Sequence, residues 1–224
     1  MPVLHHLIDA LIFDFDGTLV DSLPGIEYAV AAAWATVQPG PPCPSLRSLV
    51  GPPIRETFRQ ALPDADAATL TALERAFRNA YDSDGWQKTV VYPGVLETLA
   101  ILTANGVQCF GVTNKPSLPT QRILEHCGLQ VYFQAFLSPD SRIPLFASKS
   151  EAVAELLTQY SLDPARTLLM GDSVDDACVA QEWGLRFAAF AGGYGQAHQQ
   201  TEVPVALVCT RFADVLQLIK AETL

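Results

Sequence analysis

The sequence predicts an α/β fold, a doubly wound and mostly parallel sheet interrupted by an inserted α-helical segment, on three observations. Short apolar runs end abruptly in polar residues, stretches with helical spacing separate them, and one long region carries helical patterns alone. Runs this short and this apolar suit strands buried on both faces, as in a parallel sheet. Strands that alternate with helices argue for stacked βαβ units.

In chain order, the first strand is Ala10–Phe13, running into Asp14-Phe15-Asp16-Gly17-Thr18. From about Val20 to Lys88 no convincing strand occurs. Glu27–Val37 and Ala67–Tyr81 read as Ala-rich helices, joined across the Pro-rich link Pro39–Pro44. Sheet rhythm returns after Tyr92-Pro93-Gly94. Val95, Leu96, Leu99 and Leu102 mark a helix that Asn105-Gly106 stops. The strand Val107–Val112 follows and ends at Thr113-Asn114. Ala152, Val153, Leu156 and Leu157 mark another helix, ended near Asp163-Pro164, before the strand Thr167–Met170 and then Gly171-Asp172. Leu185–Phe190 and Val205–Val208 complete the sheet. The chain thus divides into an α/β core, residues 1–19 and 88–224, and an inserted helical domain, residues 20–87.

Composition narrows the function classes. In 224 residues, 49% are hydrophobic and 17% charged, which suits a globular chain with a large core. Fourteen basic against 24 acidic residues give a formal charge of −10, which repels a phosphate backbone and argues against nucleic-acid partners. The five cysteines are scattered without a CxxC, as expected of thiols in a reducing compartment rather than of a disulfide framework or a zinc site. The N-terminal stretch lacks the basic region of a signal peptide, and no apolar run approaches the ~18–20 residues of a membrane span. The expectation is a cytoplasmic protein without a membrane partner.

In an open α/β sheet, ligands bind outside the carboxyl ends of the strands. Those ends carry Asp14 and Asp16, then Thr113 and Asn114, then Asp172, Ser173, Asp175 and Asp176. Carboxylates gathered at one sheet edge repel one another unless a cation holds them, and an oxygen-only ligand set suits Mg²⁺. A bare D-x-D is weak by itself, since the chain has three, at 14/16, 64/66 and 82/84. The latter two fall in polar loop or helix surface. The first follows an apolar strand directly, where burying a carboxylate is costly without compensation.

Phe13-Asp14-Phe15-Asp16-Gly17-Thr18-Leu19-Val20-Asp21-Ser22 resembles the first motif of the haloacid dehalogenase superfamily of phosphohydrolases. Val112-Thr113-Asn114-Lys115 is similar to its second motif, Lys149 falls where the third-motif lysine belongs, and Gly171–Asp176 looks like the fourth. Order and spacing agree over nearly the whole chain. The insertion between motifs one and two is the place of the superfamily's helical cap, so the core would be its Rossmann-like domain. Tyr92-Pro93-Gly94-Val95 and Gly192-Gly193-Tyr194-Gly195 resemble the phosphoglycolate-phosphatase-like branch. Two departures stand out. Lys149 lies in Ser148-Lys149-Ser150 where the family often has Lys-Pro, and Pro139–Phe146 matches loosely.

The resemblance implies a Mg²⁺-dependent phosphomonoester hydrolase acting on a small phosphorylated metabolite. Asp14 would attack phosphorus and form an aspartyl-phosphate, as a carboxylate nucleophile can. Asp16 would protonate the leaving oxygen and then deprotonate water. Mg²⁺ would bind Asp14, the Asp16 carbonyl and Asp172. Thr113, with Asn114 beside it, would bind phosphoryl oxygens, and Lys149 would stabilise charge on nucleophile and phosphate. Asp176 would support Lys149 or a metal-bound water. In the cap, which in the family covers the phosphate pocket, Arg55 or Arg47 near Gly51-Pro52-Pro53 would bind a substrate carboxylate. Lys115 is assigned no catalytic role, and Gly192–Gly195 reads as a flexible loop beside the site, not a dinucleotide fingerprint.

The same motifs serve a phosphomutase of the β-phosphoglucomutase kind, which transfers to a sugar hydroxyl instead of water. Halide displacement has no use for Asp16 and the acidic fourth motif. A phospho-Asp signalling domain would need no helical insertion, and a silent binding protein would leave four intact motifs unexplained. His5, His6, His126 and His198 lack metal-ligand spacing.

Overall fold

The computed structural model describes residues 8–38, 43 and 54–219. Arg47, Gly51–Pro53, His5, His6 and most of the Pro39–Pro44 link lie outside the described residues. By contacts the chain forms two compact units, Asp21–Val90 and the remainder.

The larger unit is a parallel sheet of six strands: β1 (Ala10–Phe13), β4 (Gln108–Val112), β5 (Ala135–Leu137), β6 (Thr167–Gly171), β7 (Arg186–Phe190) and β8 (Leu207–Cys209). Their order is β5-β4-β1-β6-β7-β8, every neighbouring pair parallel. The fold class follows the sequence prediction. β5 is an addition: three half-buried residues at the sheet edge give no continuous apolar run to detect. From β1 the chain builds outward through β4 and β5, then crosses to β6 on the other side and continues to β8. The loops leaving β4, β1 and β6 therefore meet at one edge where the strand order reverses, which opens a crevice in such sheets.

Helices α4 (Val95–Ala104), α5 (Ser117–His126), α6 (Lys149–Gln159), α7 (Val174–Glu182) and the short α8 (Ala197–Gln200) connect the strands. Alternation along the strands sorts the core. Ala10, Ile12, Phe110, Val112, Leu169, Phe187 and Ala189 pack with Val153, Leu156, Ala177 and Ala180 of α6 and α7. On the other face, Phe13 stacks on Phe212, which meets Phe190 edge-on. Both faces of the central strands are dry, as a parallel sheet requires.

The smaller unit contains α1 (Leu23–Val37), α2 (Ile54–Ala61) and α3 (Ala67–Ala80). Its core joins Val30, Ala33, Phe58, Leu70 and Leu73. Asp66 caps α3 by accepting the Thr69 amide at 2.7 Å, so the second D-x-D is a capping element. The short strands β2 (Val20–Asp21) and β3 (Val90–Val91) pair where the chain leaves and re-enters the larger unit. Among the described residues, no helix is long and apolar enough to cross a membrane.

Candidate active site

Asp14 extends the central strand by one residue, its amide bonded to the Met170 carbonyl at 2.9 Å. The next residues turn tightly: the Thr18, Leu19 and Val20 amides all donate to the Phe15 carbonyl, and the Gly17 amide donates to the Val20 carbonyl. Phe15 is fully buried against Phe136, so the turn is anchored between its two aspartates. Gly17 has φ +88°, and a Cβ there would lie 2.5 Å from Asp172 Oδ2. The turn therefore needs glycine on both conformational and steric grounds.

Lys149, the first residue of α6, carries a side chain only 6% exposed, with Nζ 2.7 Å from Asp14 Oδ1 and 2.6 Å from Asp176 Oδ1. Asp176 is held from its other side as well. Its Oδ2 accepts the Ser173 amide at 3.1 Å and the Ser173 hydroxyl at 2.6 Å, and Ser173 Oγ in turn accepts the Asp176 amide. This reciprocal cap starts α7 and aims the carboxylate at Lys149. Asp175, one residue earlier, faces solvent.

Asp172 leaves the end of β6 buried, and its Oδ2 accepts the Tyr194 and Gly195 amides at 2.6 and 2.8 Å. The loop read from sequence as flexible is thus a backbone clamp on a carboxylate. It fits because Gly193 lacks a side chain: a Cβ there would lie 2.2 Å from the Gly17 carbonyl and 2.4 Å from Asp172.

Carboxylate oxygens of Asp14, Asp172 and Asp176 lie within 4.8 Å of one another, all three residues buried. Burial raises the Asp14 carboxyl well above its ordinary value against the counter-pull of Lys149, with Asp176 and Asp172 adding to the rise. Burial likewise pushes Asp172 up to about 6, opposed by the Gly195 and Tyr194 amides. Lys149 is raised as well: burial works against its ammonium, but Asp14 and Asp176 hold the proton more strongly. Adding Asp16 and Lys115, the site carries four carboxylates against two ammonium groups. The excess of negative charge and the oxygen-only donors fit one hard divalent cation.

Thr113 follows β4, buried, its amide bonded to the Leu137 carbonyl and its Oγ1 accepting the Lys115 amide at 3.0 Å. With a lone pair so occupied, the hydroxyl hydrogen is available to an anion. Asn114 beside it is exposed. Asp16 keeps 23% of its side chain exposed, and its Oδ1 lies 3.0 Å from Lys115 Nζ. Arg55, on α2, donates to Thr71 Oγ1 at 3.1 Å and to Glu74 Oε2 at 3.3 Å, partners within its own unit.

The larger unit thus brings Asp14, Asp172, Asp176 and Lys149 into one cluster, with Asp16 and Lys115 paired on the adjacent loops. Sequence reasoning missed Thr18, whose hydroxyl lies 3.3 Å from Asp14 Oδ2, the Ser173 cap and the Tyr194 and Gly195 amides. A serine three residues before an aspartate at a strand-to-helix junction was a readable sign of the cap. Backbone donors have no sequence signature.

The sequence profile of the haloacid dehalogenase-like hydrolases matches residues 11–190. Phosphoglycolate phosphatase 1 of Pseudomonas aeruginosa is 32% identical over 214 residues, 92% of this chain and 78% of that one. Phosphoglycolate phosphatase of Psychrobacter arcticus is 33% identical over 193 residues, 82% of this chain and 84% of that one. The solved structure of a haloacid dehalogenase-like hydrolase family protein, SP0104 from Streptococcus pneumoniae, shares the fold with a TM-score of 0.83 at 22% identity, covering 94% of this chain and 97% of that one.

Proposed function

This chain belongs to the haloacid dehalogenase-like hydrolase family, and from that membership we propose a Mg²⁺-dependent phosphomonoester hydrolase acting on a small phosphorylated metabolite, 2-phosphoglycolate first among the candidates. The observation that carries the reading is Lys149 bonded to both Asp14 and Asp176 in a buried carboxylate cluster beside Thr113. Relatives named phosphoglycolate phosphatase support the substrate. In this reading residues 1–19 and 88–224 are the catalytic core and residues 20–87 the cap.

The Asp14 side chain, the Asp16 carbonyl and the Asp172 side chain would hold Mg²⁺, which supplies charge neutralisation between the carboxylates and the incoming phosphate. Asp14 attacks phosphorus as its ester oxygen departs, giving an aspartyl-phosphate. Lys149 pulls the attacking carboxylate toward its ionised form against burial and balances the charge growing on the phosphoryl oxygens. Thr113 donates its hydroxyl hydrogen to one of those oxygens, and Asn114 lies beside it to add a donor. Asp16 gives a proton to the departing alkoxide, then takes one from the water that cleaves the acyl phosphate. Asp176, with both oxygens engaged, positions Lys149. Arg55 braces α2 on α3 through Glu74.

The test is release of inorganic phosphate from p-nitrophenyl phosphate and from a panel including 2-phosphoglycolate, sugar phosphates, nucleoside monophosphates and pyrophosphate, with and without Mg²⁺. Metal-dependent release that drops at least about a thousandfold in Asp14→Asn supports the reading. Equal activity in that variant, or activity that survives a chelator, overturns it. Transfer to a sugar hydroxyl without release of phosphate would mark a mutase instead.

A further inference from the structure

Among the described residues two lysines stand at the sheet edge, and the proposed reaction uses one. Lys149 is committed to the nucleophile side, bonded to Asp14 and Asp176. Lys115 stands on the other side, 3.0 Å from the Asp16 carboxylate, with its own side chain only 9% exposed. Its backbone is fixed on both flanks. Its amide donates to Thr113 Oγ1, and two residues on, the Ser117 amide and hydroxyl both bond Asp140, at 2.8 and 2.9 Å. A long cation that emerges from so constrained a loop is aimed rather than merely solvated.

Building on the hydrolase reading, we propose that Lys115 is a specificity residue, which binds an anionic group carried by the leaving half of the substrate next to the ester oxygen. The geometry follows from Asp16. A general acid lies within hydrogen-bond reach, about 2.7 Å, of the oxygen it protonates. An ammonium 3.0 Å from that acid is then within reach of the leaving group's first atoms. In a substrate with one carbon between ester oxygen and carboxylate, those two groups lie roughly 3 Å apart, so one ammonium can touch both the acid and the substrate carboxylate. A carboxylate is the ligand the ammonium already holds in this structure, in the form of Asp16. Lys115 therefore reads phosphorylated 2-hydroxy acids in preference to esters of neutral alcohols. It also keeps the product anion on the acid's side of the site.

The experiment compares 2-phosphoglycolate with ethyl phosphate, which replaces the carboxylate by a methyl group. In Lys115→Met the ratio of kcat/KM for the two substrates falls at least about tenfold relative to the unsubstituted enzyme, whatever happens to the rate they share. Lys115→Arg recovers part of the ratio because it keeps the charge. In an Asp14→Asn background, calorimetry with Mg²⁺ shows the dissociation constant of 2-phosphoglycolate rising in Lys115→Met relative to that of ethyl phosphate, without turnover. An unchanged ratio in Lys115→Met, even with both rates reduced, overturns the proposal. No preference for 2-phosphoglycolate over ethyl phosphate in the unsubstituted enzyme also overturns it, while leaving the hydrolase reading intact. Absence of phosphate release from every ester, p-nitrophenyl phosphate included, overturns the hydrolase reading itself.

Discussion

Replacing Lys149 by Met tests the electrostatics of the carboxylate cluster directly. The ammonium is nearly inaccessible and bonds two buried carboxylates, at 2.7 and 2.6 Å. Breaking a buried pair by removing one partner costs about 3–5 kcal/mol, because a charge stays buried without compensation. The cluster has an escape, since a stranded carboxylate can take up a proton. That costs about 1.4 kcal/mol per pH unit above its ordinary value. The sign follows from linkage. Without Lys149 the folded-state value of Asp14, already raised by burial in the parent, rises further, so the gap to the parent opens above the parent's value and widens with pH until the variant's is passed. The loss should therefore be about 4 kcal/mol at pH 8 and less than half of that near pH 5. At roughly 2–4 °C per kcal/mol for a chain of this size, the melting gap to the parent protein is about 8–16 °C at pH 8. Thermal unfolding followed by circular dichroism in a chelating buffer at pH 5, 6, 7 and 8 reads it. A gap of the same size at every pH, or one below about 3 °C at pH 8, would refute the reasoning.

Gly193→Ala should weaken Mg²⁺ binding at least about tenfold by calorimetry, because a Cβ 2.4 Å from Asp172 displaces the carboxylate that the Tyr194 and Gly195 amides hold; unchanged affinity would mean the loop does not position Asp172. Mg²⁺ affinity should also fall by up to about tenfold per pH unit below 6, since Asp172, with its pKa pushed up to about 6, must be ionised to bind; equal dissociation constants at pH 7.5 and 5 would exclude it as a ligand. Ser173→Ala should cost about 1 kcal/mol through loss of the α7 cap and slow turnover without raising KM, which a denaturant series and steady-state kinetics check together. Arg55→Ala should cost about 0.5–1 kcal/mol and leave KM for 2-phosphoglycolate unchanged, whereas a KM raised tenfold would support the substrate role read from the sequence.

Much of the architecture was legible because parallel strands have to be apolar on both faces. The runs at Ala10, Val107, Thr167 and Leu185 locate β1, β4, β6 and β7 to within a residue or two. The last strand was legible but displaced, at Leu207–Cys209 instead of Val205–Val208, because it lies at the sheet edge and alternates in burial. β5 was lost for the related reason that an edge strand of three half-buried residues leaves no apolar run. The aspartates were legible from position: a carboxylate directly after a buried strand stands where the sheet opens.

What the sequence by itself determined is therefore the sheet, the strand-free insertion, and the order in which Asp14, Thr113 and Asp172 arrive at strand ends and Lys149 at a helix start. Each is a local matter of hydrophobic period and the residue that follows it. Which side chains touch was decided by the tertiary structure alone. The reversal of strand order at β1 brings residue 14 against residues 149 and 176, more than a hundred positions away. It also folds a glycine loop so that two peptide amides, invisible in any pattern of side chains, close on Asp172. The pairing of Lys115 with Asp16 arises in the same way. A charge on one loop acquires its meaning from the loop packed beside it, and only the sheet decides which loop that is.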